Sequence, residues 1–175
     1  RPVKNDFEIL FLENFEKMYR TADDILARME TSGCRKLFEE SVSKGSVVHG
    51  DYNYHNVMIL PENEVITNFE RMRIGIQVDD LYYLLRKVME KYHWKQKTGQ
   101  KILEAYEEVR PLSEREKEFA ALSLAYPGKF KKIAGSYYRS NKAHLSEKNV
   151  EKLQICIRQT EEKYEFLSRI FPLNL

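Results

Sequence analysis

His49-Gly50-Asp51-Tyr52-Asn53-Tyr54-His55-Asn56 is the stretch on which the fold of this chain turns. The β-branched pair Val47-Val48 leads into it, and the strand-like run Val57-Met58-Ile59-Leu60 leads out. Asp51 and Asn56 stand in D-x-x-x-x-N relation, the spacing of a phosphotransfer loop. That chemistry needs a carboxylate to accept the proton of an attacking hydroxyl. It also needs an amide oxygen that helps hold magnesium on the phosphate side. A lone spacing of this kind arises often by chance. A strand and His-Gly before it, and a hairpin after it, strengthen the signal against the competing reading of a polar turn with capping side chains.

Beyond the loop, Pro61-Glu62-Asn63-Glu64 is a turn, and Val65-Ile66-Thr67 is the return strand of a small hairpin. Asn68-Phe69-Glu70 follows, at the place where such folds carry Asp-Phe-Gly or Asp-Phe-Asp/Glu. That Asp normally binds magnesium directly. Magnesium prefers charged oxygen ligands, so the neutral amide of Asn68 should lower both metal affinity and control of the phosphate. Two readings stand for Asn68: an attenuated ligand, or a hydrogen-bonding residue in a dead site.

The rest is helical. Phe7, Leu10, Phe11, Phe15, Met18, Ala22, Ile25, Leu26 and Met29 recur at three- and four-residue intervals on one predicted face, with Gly33 as a stop. Leu37 and Phe38 suggest a shorter helix ending before Lys44-Gly45-Ser46. Val78, Leu81, Tyr82, Leu85, Val88, Met89 and Tyr92 form another stripe, and Ile102, Ala105, Tyr106 and Val109 a further one closed by Arg110-Pro111. Ser113 and Glu116 have capping-box spacing, and Pro127-Gly128 ends the helix that they open. Val150, Leu153, Ile157, Thr160, Tyr164, Leu167 and Phe171 mark a last helix, which packs either on the domain's own core or as a short coiled-coil seam. The expected fold class is mainly α with a small β-hairpin, in one domain over residues 1–175.

Composition bounds the function. The chain has 175 residues, with 42% hydrophobic and 32% charged, an ordinary globular balance that argues against disorder. Its 29 basic and 27 acidic residues leave a net charge of +2, too small to call for nucleic acid. No apolar run approaches a bilayer span, and Arg1-Pro2-Val3-Lys4-Asn5-Asp6 has no secretory character, so neither a membrane nor secretion is expected. Cys34 and Cys156 have no metal-ligand spacing and read as two reduced thiols of an intracellular protein. Lys129, Lys131, Lys132, Arg139 and Lys142 form an acid-free run with Tyr137-Tyr138 interleaved. A solvated helix face is the default for it, and an anionic partner or the border of a substrate cleft the alternative.

The motifs His49-Gly50-Asp51 with Asn56, Asn68-Phe69-Glu70, Gly75 and Asp80-Leu81 resemble the aminoglycoside phosphotransferase and choline kinase superfamily. Gly75-Ile76-Gln77, Asp80-Leu81-Tyr82, the run from Leu85 to Lys91 and Arg110-Pro111-Leu112-Ser113 are similar to CotS-type spore coat proteins. The resemblance implies the C-terminal, helical lobe of a protein kinase-like fold. It casts Asp51 as general base, with His49 orienting the catalytic loop. Asn56 and Asn68 become the magnesium and nucleotide ligands, and Asp80 a structural brace that accepts hydrogen bonds. Neither a glycine-rich phosphate loop nor a Val-Ala-Ile-Lys-like strand precedes the loop, so an N-terminal ATP lobe is expected to be absent from this chain. The implied role is a spore coat protein, catalytically weak or inactive, serving coat assembly with other coat proteins. Its implied places are the mother-cell cytoplasm and the coat, and nucleotide would bind only in the full-length protein. The alternative is an ATP- and magnesium-dependent phosphotransferase acting on a hydroxyl of a small molecule or protein. His55 reads equally as a substrate contact or an exposed loop residue. Glu70 reads as a surface charge or a substitute carboxylate, and Asp79 as a helix N-terminal acid.

Overall fold

Asn5 starts the first helix through a capping box: its side chain accepts from the Glu8 amide, and the Glu8 carboxylate accepts from the Asn5 amide. The helix, α1, runs Asp6–Thr31 in a computed structural model that describes residues 4–140 and 147–171. Arg1 to Val3 and Lys142, named above, lie outside the described residues. Next come α2 (Cys34–Ser43), β1 (Val47–Val48), β2 (Val57–Ile59), β3 (Glu64–Ile66), a single 3-10 turn (Phe69–Arg71) and β4 (Arg73–Ile74). Five helices complete the order: α3 (Val78–Lys91), α4 (Gln96–Val109), α5 (Glu114–Ala125), α6 (Gly128–Arg139) and α7 (Glu147–Ile170). None of the described helices is long and apolar enough to cross a membrane.

Two short antiparallel ladders interrupt the helices. β2 and β3 make the hairpin, with Val57 opposite Ile66 and Ile59 opposite Glu64. The second ladder, β1 with β4, pairs Val47 with Ile74 and Val48 with Arg73, residues far apart in sequence. It closes a loop around the hairpin, so His49–Asn56 leaves one ladder and enters the other. Backbone pairing at both ends restricts the segment that holds Asp51.

Two apolar clusters carry the helices. Leu81, Leu85 and Met89 of α3 meet Leu122 and Leu124 of α5 and Phe166 and Leu167 of α7. Phe7 and Met18 of α1 meet Phe130 and Tyr137 of α6 and Leu153 and Cys156 of α7. The Phe7 and Tyr137 rings stack at 3.9 Å. α7 thus lies on the protein's own core rather than along a coiled-coil seam. Ser113 and Glu116 form the expected capping box at α5. Arg115 holds α5 to α2 through two hydrogen bonds to Glu40, at 2.9 and 3.1 Å.

The stripes predicted for α1 and α4 are narrower in the fold than in the sequence. Phe15 is 42% exposed, Leu26 48% and Val109 88%. α1 is 26 residues long, and the helices packed on it bury only Phe7, Glu8, Met18 and Ile25, so apolar residues at the margin of its stripe stay wet. Cys34 and Cys156 are free and buried, and burial raises the pKa of both thiols, which disfavours the thiolate.

Candidate functional site

Gly50 has φ +77, and a Cβ there would run into the Arg71 carbonyl oxygen and the Arg73 guanidinium. Glycine therefore lets the segment after β1 bend tightly against the 3-10 turn. The Asp80 carboxylate fixes that bend from the first turn of α3. Its Oδ2 accepts from the His49 amide at 2.6 Å and its Oδ1 from the Gly50 amide at 2.9 Å. Asp79 beside it faces Arg73 at 2.5 Å; burial raises its pKa, with the Arg73 charge opposing.

The His49 ring is buried, and its contacts assign its tautomer. Nδ1 faces the Asp51 amide at 3.2 Å and must accept. Nε2 faces the Thr67 carbonyl at 2.9 Å and must donate. Both nitrogens are engaged in joining the loop to the end of β3, so His49 is a positioning residue and is not free to carry a substrate proton. The neutral ring with its proton on Nε2 satisfies both partners.

Asp51 sits at the centre of a set of amide contacts. Asn53, itself buried, donates from Nδ2 to the Asp51 carbonyl at 2.9 Å and to its Oδ1 at 3.1 Å. Asn53 Oδ1 accepts from the His55 amide at 3.0 Å, which closes the turn. Asn56 donates from Nδ2 to the Asp51 carbonyl at 2.8 Å, so its amide oxygen points the other way. The Asn56 carbonyl accepts from the Thr67 amide at 2.9 Å, placing the start of β2 beside the residue before Asn68. From α3, the Tyr83 hydroxyl approaches Asp51; burial first, and then that carboxylate, raise the phenol pKa. Sequence reasoning passed over Asn53 and Tyr83. The Asx-turn character of Asn53 was a usable local signal, whereas Tyr83 reaches Asp51 only through the docking of α3.

Asn68 has φ 67 and ψ 57, the left-handed region, which Asn and Asp tolerate better than other side chains. As oxygen donors, Asn56 and Asn68 offer neutral amides only. Among the described residues no group of three or more His, Cys, Asp or Glu converges as a metal site. Glu70, two residues on, is exposed. Such a donor set does not fit a tightly held magnesium ion, which takes one or two carboxylates in phosphate-handling sites.

Two polar residues of α7 that no sequence motif singled out are also buried. Gln159 accepts at Oε1 from Lys129 at 3.2 Å and donates from Nε2 to the Glu90 carbonyl at 2.8 Å. Lys163, 9% exposed, donates to the Ala125 carbonyl at 3.0 Å, and burial lowers its pKa to about 8. Repulsion from Arg86 adds to the shift, while Cys156 and Glu90 oppose it.

Two predictions arise here. Asp80→Asn turns an amide NH2 toward one of the two loop N–H groups, and should cost about 2 kcal/mol in urea denaturation while loosening the exchange protection of the His49 and Gly50 amides. Lys163 binds fewer protons folded than unfolded between pH 8 and 10.5, so stability should rise with pH across that window. Lys163→Met should flatten this slope and stabilise the protein at pH 7 by about 2 kcal/mol. Tyr164 still donates to the Ala125 carbonyl at 3.2 Å, so the acceptor is not orphaned. Denaturation midpoints at pH 7 and 9.5 read both effects.

No family model matches the chain. It is 26% identical over 166 residues to Spore coat protein S of Bacillus subtilis (strain 168), an alignment covering 94% of this chain and 47% of that protein. It superposes on the solved structure of an aminoglycoside phosphotransferase from Alicyclobacillus acidocaldarius subsp. acidocaldarius DSM 446 with a TM-score of 0.86 and 24% identity, covering 97% of this chain and 50% of that one. The chain thus spans about half the length of both proteins. A braced His-Gly-Asp loop between two small ladders thus sits on the fold of one half of that phosphotransferase, in a chain similar to Spore coat protein S.

Proposed function

We propose that this chain is the C-terminal, helical lobe of a kinase-like spore coat protein whose phosphotransfer site is attenuated and whose main role is structural, in coat assembly. The observation that carries the reading is Asn68: the loop around Asp51 is held in place, yet the position that calls for a carboxylate offers a neutral amide. A fold kept in order without its metal charge suits a protein selected for assembly. Kinship to Spore coat protein S supports a place in the coat, after synthesis in the mother-cell cytoplasm, among other coat proteins.

The second reading is an ATP- and magnesium-dependent transfer to a hydroxyl, with Asp51 as base. Its support is the number of contacts spent on Asp51, from Asn53, Asn56, Tyr83 and, through the backbone, Asp80. Magnesium-ATP binding by the full-length protein separates the two. The scaffold reading expects no magnesium-dependent ATP binding by the parent. Tight magnesium-dependent binding, with turnover lost in Asp51→Ala, would replace it with the enzyme reading.

A further inference from the structure

Between α3, α6 and α7 lies a cavity of about 650 Å³. Arg86, Lys87, Lys129, Lys132, Lys152 and Lys163 line it, and Glu90 is the one carboxylate among the described lining residues. Six cations less one anion leave the wall at +5, in a chain whose net charge is +2, so this concentration is not the by-product of a basic protein. Glu90 is already engaged, by Arg86 at 3.1 Å and Lys129 at 3.5 Å. Among the described residues Lys87, Lys132 and Lys152 have no carboxylate partner, and the Arg86 Nε is buried without any hydrogen-bond acceptor. Buried Lys163 has a backbone carbonyl as its only hydrogen-bond acceptor there. Lys132 and Lys152 are exposed and keep their hydration, whereas half-buried Arg86, Lys87 and Lys129 and buried Lys163 gather like charge at a partly desolvated wall, which an anion in the space would relieve.

We infer that this cavity binds a small organic phosphate carrying two or more negative charges. An arginine fork with several lysines is the donor set that phosphate oxygens take up. The volume suits a small molecule, and a concave space between three helices does not suit a long polymer. A polycationic aminoglycoside, the ligand class in the structural neighbour's name, would meet six like charges here. The cavity also adjoins the loop. Arg86 lies 4.9 Å and Lys87 5.7 Å from the centre of the Tyr83 ring, whose hydroxyl meets Asp51. Anion binding requires neither magnesium nor phosphotransfer, so this site goes beyond the coat-scaffold reading.

Calorimetric titration of the full chain, without magnesium and at one fixed ionic strength, tests the inference with fructose 1,6-bisphosphate and pyrophosphate as probes. Both should bind, and kanamycin should not. Lys132→Glu with Lys152→Glu replaces two exposed cations that hold no carboxylate partner among the described residues, so the melting temperature should stay within a few degrees while phosphate affinity falls at least about tenfold. Asn68→Asp should leave phosphate binding unchanged, which separates this site from the metal position. Absence of binding by both phosphates, equal binding by the double variant, or tighter binding of single-stranded RNA than of either probe would overturn the proposal.

Discussion

Gly50→Ala should destabilise the protein by about 3 kcal/mol or more, and Gly45→Ala by only about 1 kcal/mol. Both glycines have positive φ, +65 at Gly45 and +77 at Gly50, so both substitutions carry the backbone cost of placing a Cβ in the left-handed region. They differ in space. Nothing lies within 4 Å of a Cβ built on Gly45, whereas one on Gly50 meets the Arg71 carbonyl, which cannot move without breaking the 3-10 turn before β4. The loss at Gly50 should include the His49 and Gly50 contacts to Asp80. Chemical denaturation of the two variants measures the contrast directly. Equal destabilisation would mean that backbone conformation alone accounts for Gly50, and that the packing of the loop on the turn contributes nothing.

Asn68→Asp is the second large effect. It should raise magnesium-dependent ATP affinity of the full-length protein at least about tenfold, since a carboxylate replaces a neutral amide against a divalent ion. Asp tolerates the left-handed conformation about as well as Asn, so the change tests charge with little disturbance of fold. Adding Asp51→Ala to it should leave most of this gain, because the gain belongs to the metal position, while any phosphotransfer is lost. A parent that binds magnesium-ATP as tightly as the variant would remove the attenuated-site argument. A variant that still fails to bind would mean that Asn56 and a carboxylate at position 68 do not suffice for a metal, and would remove the enzyme reading as well.

The helices were legible because their signals are local. Leu81, Leu85 and Met89 are spaced to one face whatever lies opposite, and Ser113 and Glu116 cap their own helix. The hairpin was legible for a similar reason, its turn being contiguous with both strands. The β1–β4 ladder was not: two-residue strands carry almost no pattern, and their pairing depends on how the chain returns to Val47 from Arg73. The width of the α1 stripe was over-read because periodicity marks an apolar face without showing how much of it a neighbour covers. The lysines of α6 tell the same story. Read alone, Lys129 and Lys132 looked like a solvated face; Lys132 is exposed as expected, while the approach of α3 and α7 half-buries Lys129 and leaves both bordering a cavity.

For this protein the sequence alone determined the loop, its acid at 51, its amide at 56 and the missing charge at 68, since residue identity and short spacing are properties of the chain itself. Tertiary structure decided what those groups can do. Asp80 reaches His49 across 31 residues, and Lys163 reaches Ala125 across 38. The His49 tautomer, the Tyr83 contact and the cationic cavity arise only when separate helices meet, because hydrogen bonding, desolvation and charge repulsion act through space rather than along the backbone.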